Sequence, residues 1–248
     1  MYEQTNPNEL PGIGTSIVSI YKPIWFGKDG VRYQPGGGTI DGNNARDPSN
    51  VFSGSIPPRA QTTYYDVLQP GLLLGKLSSG YYGASIFGST TAAITASATS
   101  FKVSIAVGQE IIRRLGGVTG SLTLTGPAVA NTAPVNQQTV TVTNIAATGD
   151  GSTYTVTLYA GVTYAAVAGS LVQPADGSQI IKTFVDEEDG IRVADINGNG
   201  LSIQFPRVPI AGEINTPNIV NCPSDTALLA WVKAALVATG LFQFSDNF

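Results

Sequence analysis

The sequence predicts a mainly β fold, in which a β-barrel or sandwich-like unit carries an inserted β module, an extended N-terminal arm and one C-terminal helix. Three observations predict it. Only 12% of the 248 residues are charged, about half of the usual share. The chain is rich in Thr, Val and Gly, with 29 glycines, a composition that favours strands and turns. Apolar residues also alternate with threonines between turn signals.

The composition changes along the chain divide it into four parts. These parts are an extended N-terminal arm (1–60), a discontinuous main β domain (61–89 and 173–222), an inserted β module with a short helix (90–172), and a C-terminal helix and tail (223–248).

The N-terminal arm combines turn chemistry with large apolar side chains. Its Pro- and Gly-rich stretches, such as YQPGGGTIDGNN, indicate turns and extended chain. The stretch TSIVSIYKPIWFG holds more large apolar groups than a disordered tail does. It is therefore either an N-terminal strand packed on its own domain or an arm that lies on a neighbouring subunit. The candidates for contact with a partner are Ile17, Ile20, Tyr21, Ile24, Trp25 and Phe26.

From Thr62 onward the sequence alternates short strands with turns. TTYYDVLQPGLLLGKLSSGYYGASIFG predicts three strands, with a turn at Pro70-Gly71. In the inserted module, GSLTLTGPA, QQTVTVTNIAA and STYTVTLYAGVTYAAV predict strands, and the last two show the period-2 alternation of half-buried strands. ATGDGST, between the last two, predicts a hairpin turn.

The stretch IIRRLGG lies within a predicted short helix of about residues 107–115, which ends at the double glycine. Such a helix can cap an open end of a β barrel, with its apolar face against the core. Arg113 and Arg114 then reach outward to a salt bridge, in this chain or the next, and are partner-contact candidates. Nucleic-acid contact is the weaker alternative, because the net charge is −4 and no basic run is longer than two residues.

The C-terminal helix is predicted to open at Pro223 and Ser224, with Asp225 at the positive helix end, and to close at Gly240. Apolar residues cover most of its circumference, and Lys233 is the only charge inside it. A helix of this kind is expected to be covered on more than one side, by core or by a partner. Trp231 is therefore a further partner-contact candidate.

The residues needed for most catalytic sites are missing. The chain has no histidine and a single cysteine, Cys222, which excludes His-dependent triads and cysteine zinc sites. Cys222 is interpreted as a small buried hydrophobe rather than a nucleophile. DINGNG (195–200) has Pro206 where a calcium loop needs Glu, so a β-turn is favoured. DEEDG (186–190) is interpreted as a solvated loop, with weak cation binding as the alternative.

We therefore expect no catalytic residue, no cofactor and no metal, and no enzymatic activity. The N-terminus lacks the basic region and apolar core of a secretory signal, and no apolar run approaches the length of a membrane span. The expectation is a soluble protein made in a cytoplasm, with neither nucleic acid nor membrane as its partner.

Three stretches resemble structural proteins of tailed-bacteriophage heads, within the broad group of capsid decoration (cement) proteins. DVLQPGLLLGKLSSGYYG (66–83) is similar to a strand pair followed by an aromatic turn in that group. VQPADGSQIIKTFVDEEDGIRV (172–193) is similar to its ADGSQ segment. The stretch from Thr90 to Pro127 resembles an inserted module of phage head and tail proteins.

The resemblance implies a structural virion protein on the capsid exterior, made in the host cytoplasm. Its implied partners are the major capsid protein and further copies of itself, as a homotrimer or another homo-oligomer. The alternative is a receptor- or glycan-binding β module of a phage tail or surface fibre. Exposed tyrosines among Tyr64, Tyr65, Tyr81, Tyr82 and Tyr164 would favour that alternative.

Overall fold

The computed structural model describes residues 23–27, 29–46, 67–128, 135–149, 151–187, 190–193 and 199–246. The fold over these residues is mainly β, as the sequence predicts, with one helix in the middle of the chain and one near the C-terminus. The strands are, in chain order, β1 (Arg32–Tyr33), β2 (Gly38–Asp41), β3 (Val67–Leu68), β4 (Leu73–Lys76), β5 (Tyr82–Ala84), β6 (Gly88–Ser89), β7 (Ser100–Ser104), β8 (Gly120–Pro127), β9 (Val135–Ala147), β10 (Thr153–Leu158), β11 (Leu171–Pro174), β12 (Ile181–Phe184), β13 (Ile191–Arg192), β14 (Ser202–Phe205), β15 (Pro209–Asn215) and β16 (Leu241–Ser245). The helices are α1 (Ile105–Leu115) and α2 (Thr226–Val237).

The described strands form four sheets. Residues 88–174 supply a six-stranded sheet of order β6-β11-β8-β9-β10-β7, and we call this sheet with α1 the module. The other sheets have the orders β12-β4-β5-β2-β14, β1-β15-β16 and β13-β3, and we call these three with α2 the body. The strands of the module begin at residue 88 and end at residue 174; the division of the chain into an inserted module and a main domain stays a prediction.

The module packs around its own apolar core. Alternate residues of its strands point inward, among them Leu122, Val140 and Val156, and each is at most 7% exposed. α1 lies across this core with Val107 and Ile111 buried against it. The apolar face of α1 therefore lies against the core, as predicted.

Helix α1 begins and ends where its local chemistry requires. The Ser104 hydroxyl accepts a hydrogen bond from the Val107 N–H at 3.4 Å, as an N-cap does. Gly116 takes the left-handed conformation, with φ 70°, which only glycine adopts without strain. Gly117 N–H then donates to the Ile112 carbonyl at 3.0 Å, which completes a Schellman-type end.

Helix α2 lies between the sheets of the body and the outer surface of the module. The Asp225 carboxylate accepts hydrogen bonds from the N–H groups of Ala227 at 2.9 Å and Leu228 at 3.0 Å, so Asp225 is the N-cap. The fully buried residues Leu228, Val232 and Leu236 form a single stripe. The chain itself covers α2 mainly along this stripe, whereas cover on more than one side was expected. Trp231 is half-buried beside it.

The described part of the predicted arm belongs to the body of the same chain. Trp25 forms an antiparallel bridge with Ile214, and β2 pairs with both β14 and β5. For residues 23–27 and 29–46, the prediction of an arm that lies on a neighbouring subunit is therefore wrong. The structure shows the alternative, a segment packed on its own domain. The physical reason is that the sheets of this chain already bury its apolar groups.

Candidate binding surfaces

The predicted contact residues fall into three groups. Ile17, Ile20 and Tyr21 lie outside the described residues. Ile24 and Trp25 are 2% and 8% exposed, packed in the core of the body with Phe184 and Leu228. They are corrected from partner contacts to core residues of their own chain. Phe26 is 52% exposed, and its contact with a partner stays a prediction.

The Arg114 guanidinium is buried at the junction of module and body, which corrects the expectation that it reaches outward. Its side chain is 2% exposed and forms an ion pair with Asp176 at 2.8 Å. It also donates to the carbonyl oxygen of Ala84 at 3.1 Å, to that of Asn44, and to the Ser178 hydroxyl at 2.6 Å. Arg114 therefore ties α1 to the body strands, and the salt bridge lies within this chain.

Electrostatics at this junction follow from burial and charge pairing. Burial lowers the pKa of Arg114, against the opposing effect of the Asp176 carboxylate. Burial on its own would raise the pKa of Asp176, but the Arg114 charge and the hydrogen bonds from Ser178 outweigh it and hold that pKa below its ordinary value. Both groups stay ionised near neutral pH, and the pair is therefore a structural clamp.

Arg113 belongs to the same junction but lies at its rim. Its Nε donates to Glu110 at 2.6 Å, one turn back on α1, and its Nη1 donates to the Asn43 carbonyl at 2.6 Å. Glu110 is 7% exposed, whereas the Arg113 side chain is 34% exposed. Both arginines of the IIRRLGG stretch thus contact the 43–44 turn of the body.

The acidic stretch DEEDG starts with a buried carboxylate, which corrects the prediction of a solvated loop for Asp186. Asp186 is 4% exposed. It accepts hydrogen bonds from the Trp25 indole N–H and from the Tyr33 hydroxyl at 2.6 Å. Glu187, the next residue, binds Arg207 with one contact at 2.5 Å. Residues 188 and 189 lie outside the described part of the chain.

The pKa values in this cluster show a carboxyl group held mainly by neutral donors. Burial raises the pKa of Asp186, and the hydrogen bonds from Tyr33 and Trp25 only partly offset that effect. Burial and the hydrogen bond to Asp186 raise the pKa of Tyr33 to about 12. The cluster ties Trp25 and Tyr33 to Asp186, which lies 161 and 153 positions later in the chain.

The outer face of the module, opposite its core, is nearly free of charge. Phe101, Val140 and Val156 point inward, so their strand neighbours point outward. We call the outward residues of β7, β9 and β10 the hydroxyl face. Its members are Ser100, Lys102, Thr139, Thr141, Thr143, Asn144, Ala146, Thr153, Thr155 and Thr157, all exposed or half-exposed.

Cross-strand pairing makes this face continuous. Thr155 stands opposite Ala146 on one side and Lys102 on the other. At the β8 end of the same sheet side, α2 packs over the strands, and Thr123 and Thr125 are buried there. The β7–β9–β10 part is thus a broad, open sheet surface with Lys102 as its one charged residue.

Aromatic side chains are exposed at the end of the module that lies away from α1. Tyr159 is 80% exposed and Tyr164 is 40% exposed. Gln138 holds their loop by accepting from the Thr163 N–H at 2.8 Å. Of the other tyrosines considered above, Tyr81 is exposed and Tyr82 is buried, while Tyr64 and Tyr65 lie outside the described residues.

The described residues contain no group of three or more Cys, Asp or Glu side chains placed to hold a metal ion. Of the DINGNG stretch, only Asn199 and Gly200 belong to them, so its predicted turn is largely outside the described chain. Cys222 is half-buried and burial raises the pKa of its thiol. No helix in the described ranges is long and apolar enough to cross a membrane. Comparisons with protein-family models, curated proteins and solved structures found no match for this chain.

Proposed function

We propose that this chain is a structural virion protein that binds the outer surface of a tailed-phage head and stabilises the capsid through protein–protein contacts. The major capsid protein is its partner, further copies of the chain are its neighbours, and it performs no catalysis. The observation that carries the proposal is the hydroxyl face, a wide sheet surface with a single charge and no covering element among the described residues.

The physical properties of that face suit adhesion to a large, regular partner. Hydroxyl and amide groups exchange water for protein hydrogen bonds at little net cost, whereas an unpaired buried charge costs several kcal/mol. A rigid sheet also loses little conformational entropy on binding. Many copies on one lattice then hold strongly even when each contact is weak.

The stretches that carry the phage-head resemblance are neighbours in the fold. β4, from the first stretch, pairs with β12, from the ADGSQ stretch. Asp176 and Ser178 of ADGSQ bind Arg114 from the inserted stretch. The three stretches therefore form one structural unit, which supports treating the resemblance as a property of the whole assembly of body and module.

The direct test uses expanded capsids that lack this protein. Purified chain is added to them, and binding is measured by cosedimentation, together with the temperature at which the shells open. We expect saturable binding and an increase in that temperature. Absence of binding, or shells equally heat-resistant without the protein, contradicts the proposal.

A receptor- or glycan-binding role is the second candidate, favoured by the exposed rings of Tyr159 and Tyr164 at the free end of the module. Aromatic rings stack on sugar faces through their apolar surfaces. A glycan array with the wild-type chain and a Tyr159→Ala variant tests it. Binding that the substitution abolishes supports this role, and a blank array contradicts it.

A further inference from the structure

Strand β16 forms one edge of the three-stranded sheet of the body. In the described part of the chain, β15 is the strand that pairs with β16. The two strands are parallel, and residues 211–215 of β15 stand opposite residues 241–245 of β16. Its sequence, LFQFS, contains no charge and no proline, and its register with β15 is regular. Charges, prolines and bulges are the usual means by which proteins keep an edge strand from pairing with another chain.

Other sheet edges in the described residues carry such protection. β1 is two residues long, includes Arg32 and has an irregular register. β7 includes Lys102, and the Thr91 N–H already donates to the Lys102 carbonyl at 3.0 Å. β14 is followed directly by Pro206. The five-residue edge of β16 stands out by comparison.

Along β15, the backbone N–H and C=O groups of successive residues point alternately toward β16 and away from it. On the other side of β15, the Phe26 N–H donates to the Glu213 carbonyl at 2.9 Å, so Glu213 faces residues 24–26. Backbone groups alternate in direction along a strand. Those of Gly212 and Ile214 therefore face β16.

The same alternation shows which groups of β16 are open. In a parallel ladder a residue bonds to the residues on either side of its partner. The partners of Gly212 and Ile214 are Phe242 and Phe244. The bonds thus use the residues that flank these phenylalanines, and the N–H and C=O groups of Phe242 and Phe244 themselves point away from β15, to the edge that the described residues leave unpaired.

We propose that this edge pairs antiparallel with β16 of a second copy of the chain, about a two-fold axis at Gln243. In that register Phe242 of each copy stands opposite Phe244 of the other, and each such pair exchanges both N–H···O bonds. All outward backbone groups of the strand are then satisfied. The three-stranded sheets of two bodies become one continuous sheet, in the self-complementary arrangement that a two-fold interface requires.

The side chains suit this self-pairing. Gln243, which is exposed, meets its own counterpart, and the uncharged strand brings no like charges together. Leu241 is 81% exposed and would lie beside Ser245 of the second copy. Phe242 is 6% exposed and stays in the core of its own body, so pairing requires no rearrangement there.

A disulfide test distinguishes this register from any other association. In a Cys222→Ala background, Gln243→Cys places two thiols at a non-hydrogen-bonded pair with Cα atoms about 4.5 Å apart, within the range that a disulfide spans. Leu241→Cys is the matched control, because it is more exposed but its two copies lie about 13 Å apart. We expect rapid oxidative dimerisation of the first variant only. Equal rates, or no cross-link at residue 243, overturn the proposal.

Charge substitution at the same residue provides an independent readout. Gln243→Lys or Gln243→Glu alone should raise the dimer dissociation constant about fivefold or more, since like charges meet across the axis. An equimolar mixture of the two should restore dimerisation. Sedimentation equilibrium measures all four samples. A wild-type monomer or trimer, or a mixture that stays dissociated, overturns the proposal. Because no capsid is involved, its failure is separate from failure of the proposed function.

Discussion

The module shows two contrasting surfaces at the two sides of its strands and helix. Where α1 meets the body, ionised groups are paired, and the Arg114 side chain is 2% exposed against an Asp176 side chain that is 36% exposed. On the hydroxyl face of β7, β9 and β10, the side chains are open to solvent and Lys102 is the one charge. At this junction the paired charges thus serve attachment within the chain.

The two surfaces differ in role: the Arg114 junction holds the module to the body, and the hydroxyl face is the surface that we propose binds a partner. A buried ion pair with several hydrogen bonds fixes one geometry, because misplacing it leaves charges unsolvated. An uncharged face imposes little desolvation cost on whatever covers it. The following predictions test each side of that contrast, beginning with the largest expected effect on stability.

Removal of the Arg114 guanidinium should cause the largest loss. Arg114→Leu removes the hydrogen bonds that Arg114 donates to Asp176 and to the carbonyl oxygens of Asn44 and Ala84, and we expect the free energy of unfolding to fall by about 2–3 kcal/mol. Denaturation by guanidinium chloride, followed by circular dichroism, measures the free energy of unfolding. Arg32→Leu, at an exposed position of β1, is the control and should change stability by less than about 0.5 kcal/mol. Equal losses for the two variants would contradict a clamp at Arg114.

Packing between α1 and the sheet should be the next most sensitive feature. A Cβ atom at Gly108 would overlap the ring of Tyr154. Gly108→Ala should therefore destabilise by about 1 kcal/mol or more, although Ala is the better helix former. Gln109→Ala, at the exposed neighbouring position, should be neutral or slightly stabilising. Thermal unfolding of both variants measures the effect, and a stabilised Gly108→Ala protein would show that α1 does not lie against Tyr154.

Asp176, paired with Arg114, and the buried Asp186 should respond to pH with opposite signs. Asp176 has a lowered folded-state pKa, so its contribution to stability is present above about pH 4 and is lost as the pH falls through that folded pKa. Asp186 has a raised folded-state pKa, so stability falls as the pH rises from about 4 through that value. The cause is that Asp176 faces a guanidinium and Asp186 faces mainly neutral donors.

Asparagine substitution of each aspartate tests these opposite signs. The free energy of unfolding of each variant and of the wild type is measured from pH 3 upward. Relative to wild type, Asp186→Asn should gain stability as the pH rises from about 4 to 7. Asp176→Asn should keep a constant deficit over that interval, and the deficit should shrink below about pH 4. Parallel pH profiles for the three proteins would contradict the assigned environments.

Local sequence patterns predicted the β-rich class, the hairpin of β9 and β10 and both helices, because alternation, caps and turn residues act over a few positions. The double glycine ends α1 for a reason that is visible in the sequence, since Gly116 takes the left-handed conformation. The hydroxyl face was likewise implicit in the threonine alternation of β9 and β10.

Long-range partners could not be predicted in this way. Arg114 binds Asp176 across 62 positions, and Trp25 binds Asp186 across 161. ADGSQ and DEEDG indicate turns, and the side chain that each turn meets depends on how the sheets pack. The same limit explains why the sequence predicts partner contacts for Ile24 and Trp25, which lie in the core, since an apolar run does not reveal which surface buries it.

The smallest effect on stability should come from the hydroxyl face, where the largest effect on binding is expected. Thr141→Lys/Ala146→Lys and Thr141→Glu/Ala146→Glu change exposed positions of β9, and each pair should alter the free energy of unfolding by less than about 1 kcal/mol. Ser79→Lys/Gln109→Lys, at exposed positions away from this face, supplies the same charge as a control.

Cosedimentation of these variants with expanded capsids that lack the protein tests the central claim most directly. Both pairs on the hydroxyl face should lose binding regardless of the sign of the charge, because a covered charge without a partner is penalised either way, while the control binds like wild type. Undiminished binding by the Lys and the Glu variants alike would contradict an uncharged sheet surface as the site of adhesion.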